Sequence, residues 1–262
     1  MKLKGGPVET FDKWIPRDYL KDFYVEVEPD ELKTIKFEID TFQKLVGTLD
    51  KPPLMLDYGC GPTHHHSIPA SKYVSEIHMC DFTLENLEEV NRWVKNKDDK
   101  WNWNPFTRYA LQCEGVENPT DEEIEQRENE TRSKITRVVQ SDVDKVFTKD
   151  DFGGLNRGYD LVASWYCVDS STDDKDLWVK RMRNLAKFVN KGGLFITTAL
   201  RACDYYKVGS KLFPSANVTE TDLLEVLKLD FDPASITIKT EHLPEHEYLG
   251  YSGVVLAHAK KL

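Results

Sequence analysis

The sequence predicts an α/β fold: a mostly parallel seven-stranded sheet with an antiparallel strand pair at its C-terminal end and a helical lid at its N-terminus. Three observations carry this. Short apolar runs alternate with amphipathic helical stretches through the middle of the chain, the pattern of βα units. The first apolar run, Leu54-Met55-Leu56, breaks into Asp57-Tyr58-Gly59-Cys60-Gly61-Pro62-Thr63. Glycines in such a turn let a ligand lie against the main chain at the carboxyl edge of a parallel sheet. The last two strand-like runs, 235–242 and 251–259, are joined by a turn with no crossover helix, so they are expected to pair antiparallel.

At 262 residues the chain suits one domain, 1–262, with embellishments. Charged residues at 31% and hydrophobic ones at 40% are the composition of a soluble globular protein. A net charge of −10 argues against a non-specific nucleic-acid binder. No apolar run approaches the roughly 18 residues of a membrane span. The opening MKLKGGPVETFDKW lacks the apolar stretch of a signal peptide, so a cytoplasmic protein is expected. Cys60, Cys80, Cys113, Cys167 and Cys203 form no C-x-x-C pair. Buried reduced thiols fit that better than a disulfide scaffold or structural zinc.

Residues 16–24, PRDYLKDFY, read as a short helix opened by Pro16. Tyr19, Phe23 and Tyr24 share a face, either as a packing stripe or as a lid over a ligand. A second helix spans about 29–49, with Ile35, Ile39, Phe42, Leu45 and Val46 at helical spacing; residues 1–50 together form the lid. After the glycine turn stand His64, His65 and His66. Three adjacent imidazoles do not readily converge on one ion from regular backbone, so loop residues and no metal are expected. The second strand, 76–80, ends at Asp81, about twenty residues past the turn, where an acidic residue takes ribose hydroxyls. Thr83 is the better-placed N-cap for a helix carrying Leu84, Leu87, Val90 and Val94. That leaves Asp81 for a ligand, with Asn86 in the helix's first turn.

Residues 101–134 interrupt the alternation. WNWNPF is aromatic, and TDEEIEQRENETR reads as a solvated acidic helix. A third strand, 135–140, ends at Ser141-Asp142-Val143, where an adenine amino group is readable. A fourth, 159–164, runs into WYCVDSSTDD. A helix over about 174–189 is expected to stop at Lys191-Gly192-Gly193, and a fifth strand, 194–199, follows. Then come ALRACDYYKVGSKLF, a helix near 220–229 and the two final strands. This order describes a Rossmann-like methyltransferase sheet rather than a dehydrogenase. Pro62-Thr63-His64 stands where a dinucleotide fingerprint has its third glycine.

Several segments, in order and across nearly the whole chain, resemble the class I methyltransferases that include nicotinamide, phenylethanolamine and indolethylamine N-methyltransferases. They are PRDYLKDFY (16–24), LDYGCGPT (56–63), DFTLENL (81–87), the W-x-P of 103–105, SDV (141–143), the CVD of WYCVD (165–169), KGGLFI (191–196) and YYKVGSKLF (205–213). The resemblance implies S-adenosylmethionine as cofactor and S-adenosylhomocysteine as product. It places Tyr19 and Tyr24 over the cofactor's carboxylate end and Gly59, Cys60, Gly61 and Thr63 around its methionine part. Asp81 and Asn86 fall at the ribose, Asp142 and Val143 at the adenine, and Trp165 beside the methyl donor. Trp14, Tyr166, Thr198, Tyr206 and Ser215 fall at acceptor positions.

Two departures bear on substrate. Thr198 stands where nicotinamide enzymes carry a carboxamide-holding aspartate, and His65 replaces a glycine-loop tyrosine. Asp169 matches an acidic position of phenylethanolamine enzymes and Asp204 lies near a second, so both are candidate amine anchors. The implied reaction is in-line displacement of a methyl group onto a small amine or azaheterocycle by a monomer. Positioning of this kind contributes about 7–11 kcal/mol. Methyl transfer to sulfur or oxygen, or a silent cofactor-binding homologue, are the alternatives. A metal site built from His242, His246 and Glu245 or Glu247 is disfavoured, because Pro244 places them in a loop.

Overall fold

The computed structural model describes residues 8–46, 49, 51–145 and 158–262. Helices α1 (Pro16–Phe23) and α2 (Pro29–Leu45) each begin on a proline, whose missing N–H costs nothing at the first helical position. Strand β1 (Leu54–Tyr58) leads through the glycine turn to the one-turn helix α3 (Ser67–Ala70), then β2 (Glu76–Asp81) and α4 (Leu84–Val94). Helices α5 (Asn104–Cys113) and α6 (Asp121–Lys134) precede β3 (Ile135–Gln140). Next come β4 (Tyr159–Trp165), α7 (Lys175–Ala186) and β5 (Val189–Leu200). A hairpin, β6 (Tyr205–Val208) and β7 (Lys211–Pro214), is followed by α8 (Glu220–Leu227), β8 (Thr237–His242) and β9 (Gly253–Lys260).

Seven strands form one sheet in the order β3-β2-β1-β4-β5-β9-β8. Neighbours from β3 to β5 are parallel, while β9 runs antiparallel to both β5 and β8. The expected C-terminal antiparallel pair is present, and the chain's last strand is wedged between the fifth and the eighth. Alternate residues feed two cores. Met55, Ile77, Met79, Leu161, Ala163 and Leu256 pack with Leu20, Ile35, Phe42 and Trp93 from the N-terminal helices and α4. Leu56, Val162, Phe195, Val255 and Ala257 pack with Trp178, Leu185, Leu223 and Leu227 from α7 and α8. No helix among the described residues is long and apolar enough to cross a membrane.

Three expectations need correction. Lys191-Gly192-Gly193 is not a helix stop, since α7 ends at Ala186 and these residues lie in β5. There β5 slips register against β4, and a Cβ on Gly193 would lie 2.9 Å from the Asn190 carbonyl oxygen and 3.0 Å from that of Asp160. The glycines serve that close approach. The second helix ends at Leu45 rather than 49, and residues 47, 48 and 50 lie outside the described residues. Helix α6 is solvated on one side only. Ile124, Arg127, Glu128 and Thr131 are buried, with Arg127 making a two-pronged contact to Glu114 at 2.8 and 2.7 Å. The hairpin β6–β7 was not expected from the sequence.

Asp169, just past β4, fastens two strand exits. Its carboxylate accepts the Leu200 N–H at 2.9 Å, and its carbonyl accepts the Ala216 N–H at 2.8 Å. Burial pushes its carboxyl up to about 7 from an ordinary 3.8. The folded chain therefore keeps this proton where the unfolded chain has released it. The resulting stability is complete below about pH 4 and is lost as pH rises toward 7. Asp169→Asn keeps an oxygen for Leu200, so it is expected to gain on the wild type between about pH 5 and about pH 8, by at most about 4 kcal/mol. Urea unfolding at both pH values measures this, and parallel profiles for the two proteins would refute it.

Candidate active site

A cavity of about 650 Å3 opens where β1 to β5 end. That is the crevice in which an open parallel sheet binds ligands, and the volume suits small-molecule and cofactor sites. Its floor is the glycine turn. The N–H groups of Gly59 and Cys60 both donate to the Cys80 carbonyl, at 2.8 and 3.0 Å, which lashes the turn to β2. Gly59 sits at φ +69° with Cys167 Sγ 1.9 Å from where a Cβ would be. Gly61, at φ +59°, has no atom closer than Thr63 Cγ2 at 4.0 Å, and it lines the cavity. A ligand can therefore approach the main chain at Gly61, which fits the methionine part of the implied cofactor.

Asp81 is the junction of the site. One carboxylate oxygen accepts the Gly61 N–H at 2.9 Å; the other accepts the Thr83 N–H at 2.8 Å and the Asn86 side-chain amide at 3.0 Å. Asn86 in turn accepts the Trp14 indole N–H at 2.8 Å. Thr83 stands at the N-cap of α4 as expected, but its side chain makes no capping bond, and Asp81 is not left free, since it holds the Thr83 N–H as well as Gly61 and Asn86. A carboxylate offers about four acceptor positions, so Asp81 keeps capacity for a hydroxyl on the cavity side. Burial raises its carboxyl, and its hydrogen bonds oppose that rise.

The roof comes from the N-terminus. Arg17 of α1 bonds Glu89 of α4 at 2.9 Å. The Glu9 N–H donates to the Leu212 carbonyl at 2.8 Å, Lys211 reaches the Lys13 carbonyl at 2.6 Å, and the Gly209 N–H reaches Asp22. The hairpin β6–β7 thus latches the lid. Beneath it the Tyr19 and Tyr24 hydroxyls meet at 2.9 Å. Tyr166, at the end of β4, takes the left-handed conformation at φ +48°. Its N–H bonds Thr198 Oγ1 at 3.1 Å and its hydroxyl meets that of Thr34.

The histidine run is buried throughout. Asp57, at the end of β1, accepts the Ser67 hydroxyl at 3.0 Å and so anchors the start of α3, which places the run against the cavity. His64 turns away and stacks on Trp93 with ring centroids 4.1 Å apart. His65 and His66 line the cavity. Next to them α2 contributes Asp30 and Glu31, which also line it with His246 and Tyr251. Tyr251 donates to Asp30 at 2.9 Å, and His246 Nδ1 lies 2.8 Å from the Tyr251 hydroxyl. Burial first, then the adjacent Glu31 charge, raises the Asp30 carboxyl.

All the residues expected around the cofactor line this one cavity: Tyr19, Tyr24, Gly59, Cys60, Gly61, Thr63, Asp81, Asn86, Asp142, Val143 and Trp165. Trp14, Tyr166 and Tyr206 line it too, although Trp14 bonds the Asn86 side of it. Four expected residues do not. Asp169, Thr198 and Ser215 are buried behind the wall, and Asp204 is exposed, its carboxylate accepting from Asn217 at 2.7 Å. The acidic groups in the wall instead include Asp30 and Glu31. In sequence these are simply acids in the first turn of a helix, and nothing marks them as facing a site. His65 and His66 carried a signal, the three-histidine run. His242 is exposed while His246 is buried; the side chains of Glu245 and Glu247 lie outside the described set.

Gly59→Ala is expected to destabilise the fold by about 3 kcal/mol, from a left-handed alanine plus overpacking against Cys167. Gly61→Ala is expected to cost only about 1 kcal/mol, for the backbone alone. Urea unfolding of the two variants tests the contrast, and equal losses would contradict it.

The chain is 27% identical to human nicotinamide N-methyltransferase over 208 residues, which cover 76% of this chain and 75% of that protein. Rabbit (Oryctolagus cuniculus) indolethylamine N-methyltransferase is 26% identical, over 87% and 86% of the two chains. In fold, the N-methyltransferase NodS from Bradyrhizobium japonicum superposes with a TM-score of 0.53 at 11% identity, over 88% of this chain and 98% of its own. The model of the NNMT/PNMT/TEMT family matches residues 5–262. With that match spanning nearly its whole length, the chain belongs to the NNMT/PNMT/TEMT family and is an S-adenosylmethionine-dependent N-methyltransferase.

Proposed function

We propose that the methyl acceptor is a small molecule carrying a basic nitrogen, an alkylamine or an azaheterocycle, and that Asp30 receives it. The observation behind this reading is the cavity lining, which combines Asp30 and Glu31 with the aromatic side chains of Tyr24, Trp165, Tyr166 and Tyr206. A cation or a polarised nitrogen gains from both kinds of neighbour. The relatives named above act on nicotinamide and indolethylamine, which are small nitrogen compounds.

S-adenosylmethionine brings a methyl group already activated on a sulfonium sulfur. The chain's own work is to bind, orient and exclude water. In this reading Asp81 with Asn86 takes the ribose hydroxyls, Asp142 and Val143 the adenine, the Gly59–Gly61 turn with Thr63 the methionine part, and Tyr19 and Tyr24 its carboxylate end. An alkylamine reaches the site mostly protonated and must lose a proton before attack. Asp30, with its carboxyl raised by burial and by Glu31, is better matched to accept that proton than an ordinary carboxylate. We read the chain as one domain that works as a cytoplasmic monomer, without nucleic acid or membrane; its net charge of −10 supports the absence of a nucleic-acid partner.

Incubation with labelled S-adenosylmethionine and a panel of amines, pyridines and thiols, read by mass spectrometry, tests the acceptor class. An N-methyl product is expected, and methylation of sulfur or oxygen alone would overturn the reading. Asp81→Ala is expected to weaken S-adenosylhomocysteine binding about 10–100-fold, from the charge-assisted bonds it removes. Asp30→Asn is expected to lower kcat/KM for an alkylamine by a similar factor. It should also remove an acid limb that lies above the ordinary carboxylate range, because activity rises as Asp30 ionises. An unchanged pH profile in Asp30→Asn would assign the proton to another group.

A further inference from the structure

We propose that Glu31, His65 and His66 form a binding site for a divalent transition-metal ion, with one carboxylate oxygen and two imidazole nitrogens as ligands and the remaining coordination positions open to the cavity. The inference goes beyond the methyl-acceptor reading and does not rest on it. It departs from the sequence expectation of no metal, because that expectation weighed the three histidines only against one another.

Among the described residues, these three form the group of potential ligands whose donor atoms all lie within 4.8 Å of one another. His65 Nε2 is 3.2 Å from Glu31 Oε2, and His66 Nε2 is 3.9 Å from the same oxygen. Ligand atoms about 2.0–2.1 Å from a tetrahedral zinc ion lie about 3.3 Å apart, so small rotations close the set. All three side chains are buried, and all three line the cavity.

A second observation points to a ligand. Glu31 Oε2, both ring nitrogens of His65 and Nε2 of His66 are buried without a hydrogen-bond partner. Polar atoms in such positions are rare in folded proteins. Here Glu31 Oε2, His65 Nε2 and His66 Nε2 lie at short range from one another in a geometry that satisfies none of them. A cation among them would satisfy the carboxylate oxygen and one nitrogen of each ring together.

The surroundings are built as metal sites are built. His66 Nδ1 lies 3.0 Å from Glu38 Oε2, the carboxylate–histidine contact that orients a ligating ring and points its other nitrogen at the ion. The Tyr24 hydroxyl donates to Glu31 Oε1 at 3.4 Å, which leaves Oε2 for the ion. His65 stacks on Trp103 at 5.5 Å and 15°, and His66 on Trp165 at 4.1 Å and 18°, so both ring planes are held. Two imidazoles and a carboxylate with open positions suit zinc, iron(II) or manganese(II). An ion there would present a Lewis-acidic face to a carboxylate or amine of any molecule in the cavity.

The test is direct titration of chelator-treated, full-length protein with zinc chloride by calorimetry, in the absence of cofactor and acceptor. Cobalt(II) absorption provides a second readout. One equivalent is expected to bind, and cobalt should give the visible band of a low-symmetry nitrogen–oxygen site. Glu31→Gln and His65→Gln should each weaken binding at least about 100-fold, and Glu38→Gln about 10–100-fold. Exposed His242→Gln should leave binding unchanged. Circular dichroism confirms that each variant is folded, and wild-type titration stands without any variant. Zinc binding to the wild type no tighter than to His65→Gln, or lost equally in His242→Gln, would overturn the proposal. Because no cofactor or acceptor is present, failure here leaves the acceptor reading intact, and failure of that reading leaves this one intact.

Discussion

The carboxylate of Asp81 is the constraint on which the site depends. It stands at the end of β2 and accepts from the glycine turn, from the start of α4 and from Asn86; through Asn86 it reaches Trp14 in the lid. Floor, wall and roof of the cavity therefore share one buried anion. Its hydrogen bonds offset the cost of burying that charge, and they commit most of its acceptor capacity to holding the turn in place. A ligand hydroxyl meets a carboxylate already fixed in position, which is the preorganisation a binding site needs.

The same logic explains the concentration of acids around the cavity. Asp30, Glu31, Glu38, Asp57, Asp81 and Asp169 are all buried. Burial raises the carboxyls of Asp30, Glu38, Asp57, Asp81 and Asp169. Several of them hold a neighbouring element in place, since Asp57 anchors α3, Asp169 ties two strand ends, and Glu38 holds His66. Of these acids, Asp30, Glu31 and Asp81 line the cavity, and where they ionise they favour a cationic guest, whether a sulfonium, an ammonium or a metal ion.

The lid and its latch come from opposite ends of the chain. Helix α1 docks on α4 through Arg17 and Glu89, while the hairpin β6–β7 grips the segment before α1 from the other side. Closing loops of this kind exclude water and complete a site. Here closure runs through a few polar contacts at the rim over an aromatic interior of Phe11, Trp14, Tyr19 and Phe213. Rim contacts of that sort break more readily than a packed core.

Much was legible in the chain itself, for local reasons. A strand running into Gly59 and Gly61 announces a turn because only glycine takes positive φ cheaply, and β1 and the cavity floor lie there. Alternating strand and helix patterns specify a parallel sheet, and the missing crossover helix specifies the antiparallel end. Asp81 and Asp142 stood out as candidates because strand ends at the carboxyl edge of such a sheet point at one crevice, while Asn86 and Trp165 were singled out through the family resemblance. Lys191-Gly192-Gly193 misled because glycine marks both a helix stop and a strand irregularity, and only pairing with β4 distinguishes the two. Nothing local could place β9 between β5 and β8, since sheet order is a long-range choice. Nor could it reveal that Glu31, a first-turn acid in α2, meets His65 and His66 more than thirty residues later. Asp169 and Asp204 were reasonable as anchors by position, yet main-chain hydrogen bonds claim one and solvent the other. The sequence alone determined the family of elements and the floor of the site, because these follow from backbone preferences and periodicity. Only the tertiary structure decided which acids face the cavity, because that depends on which helix covers it.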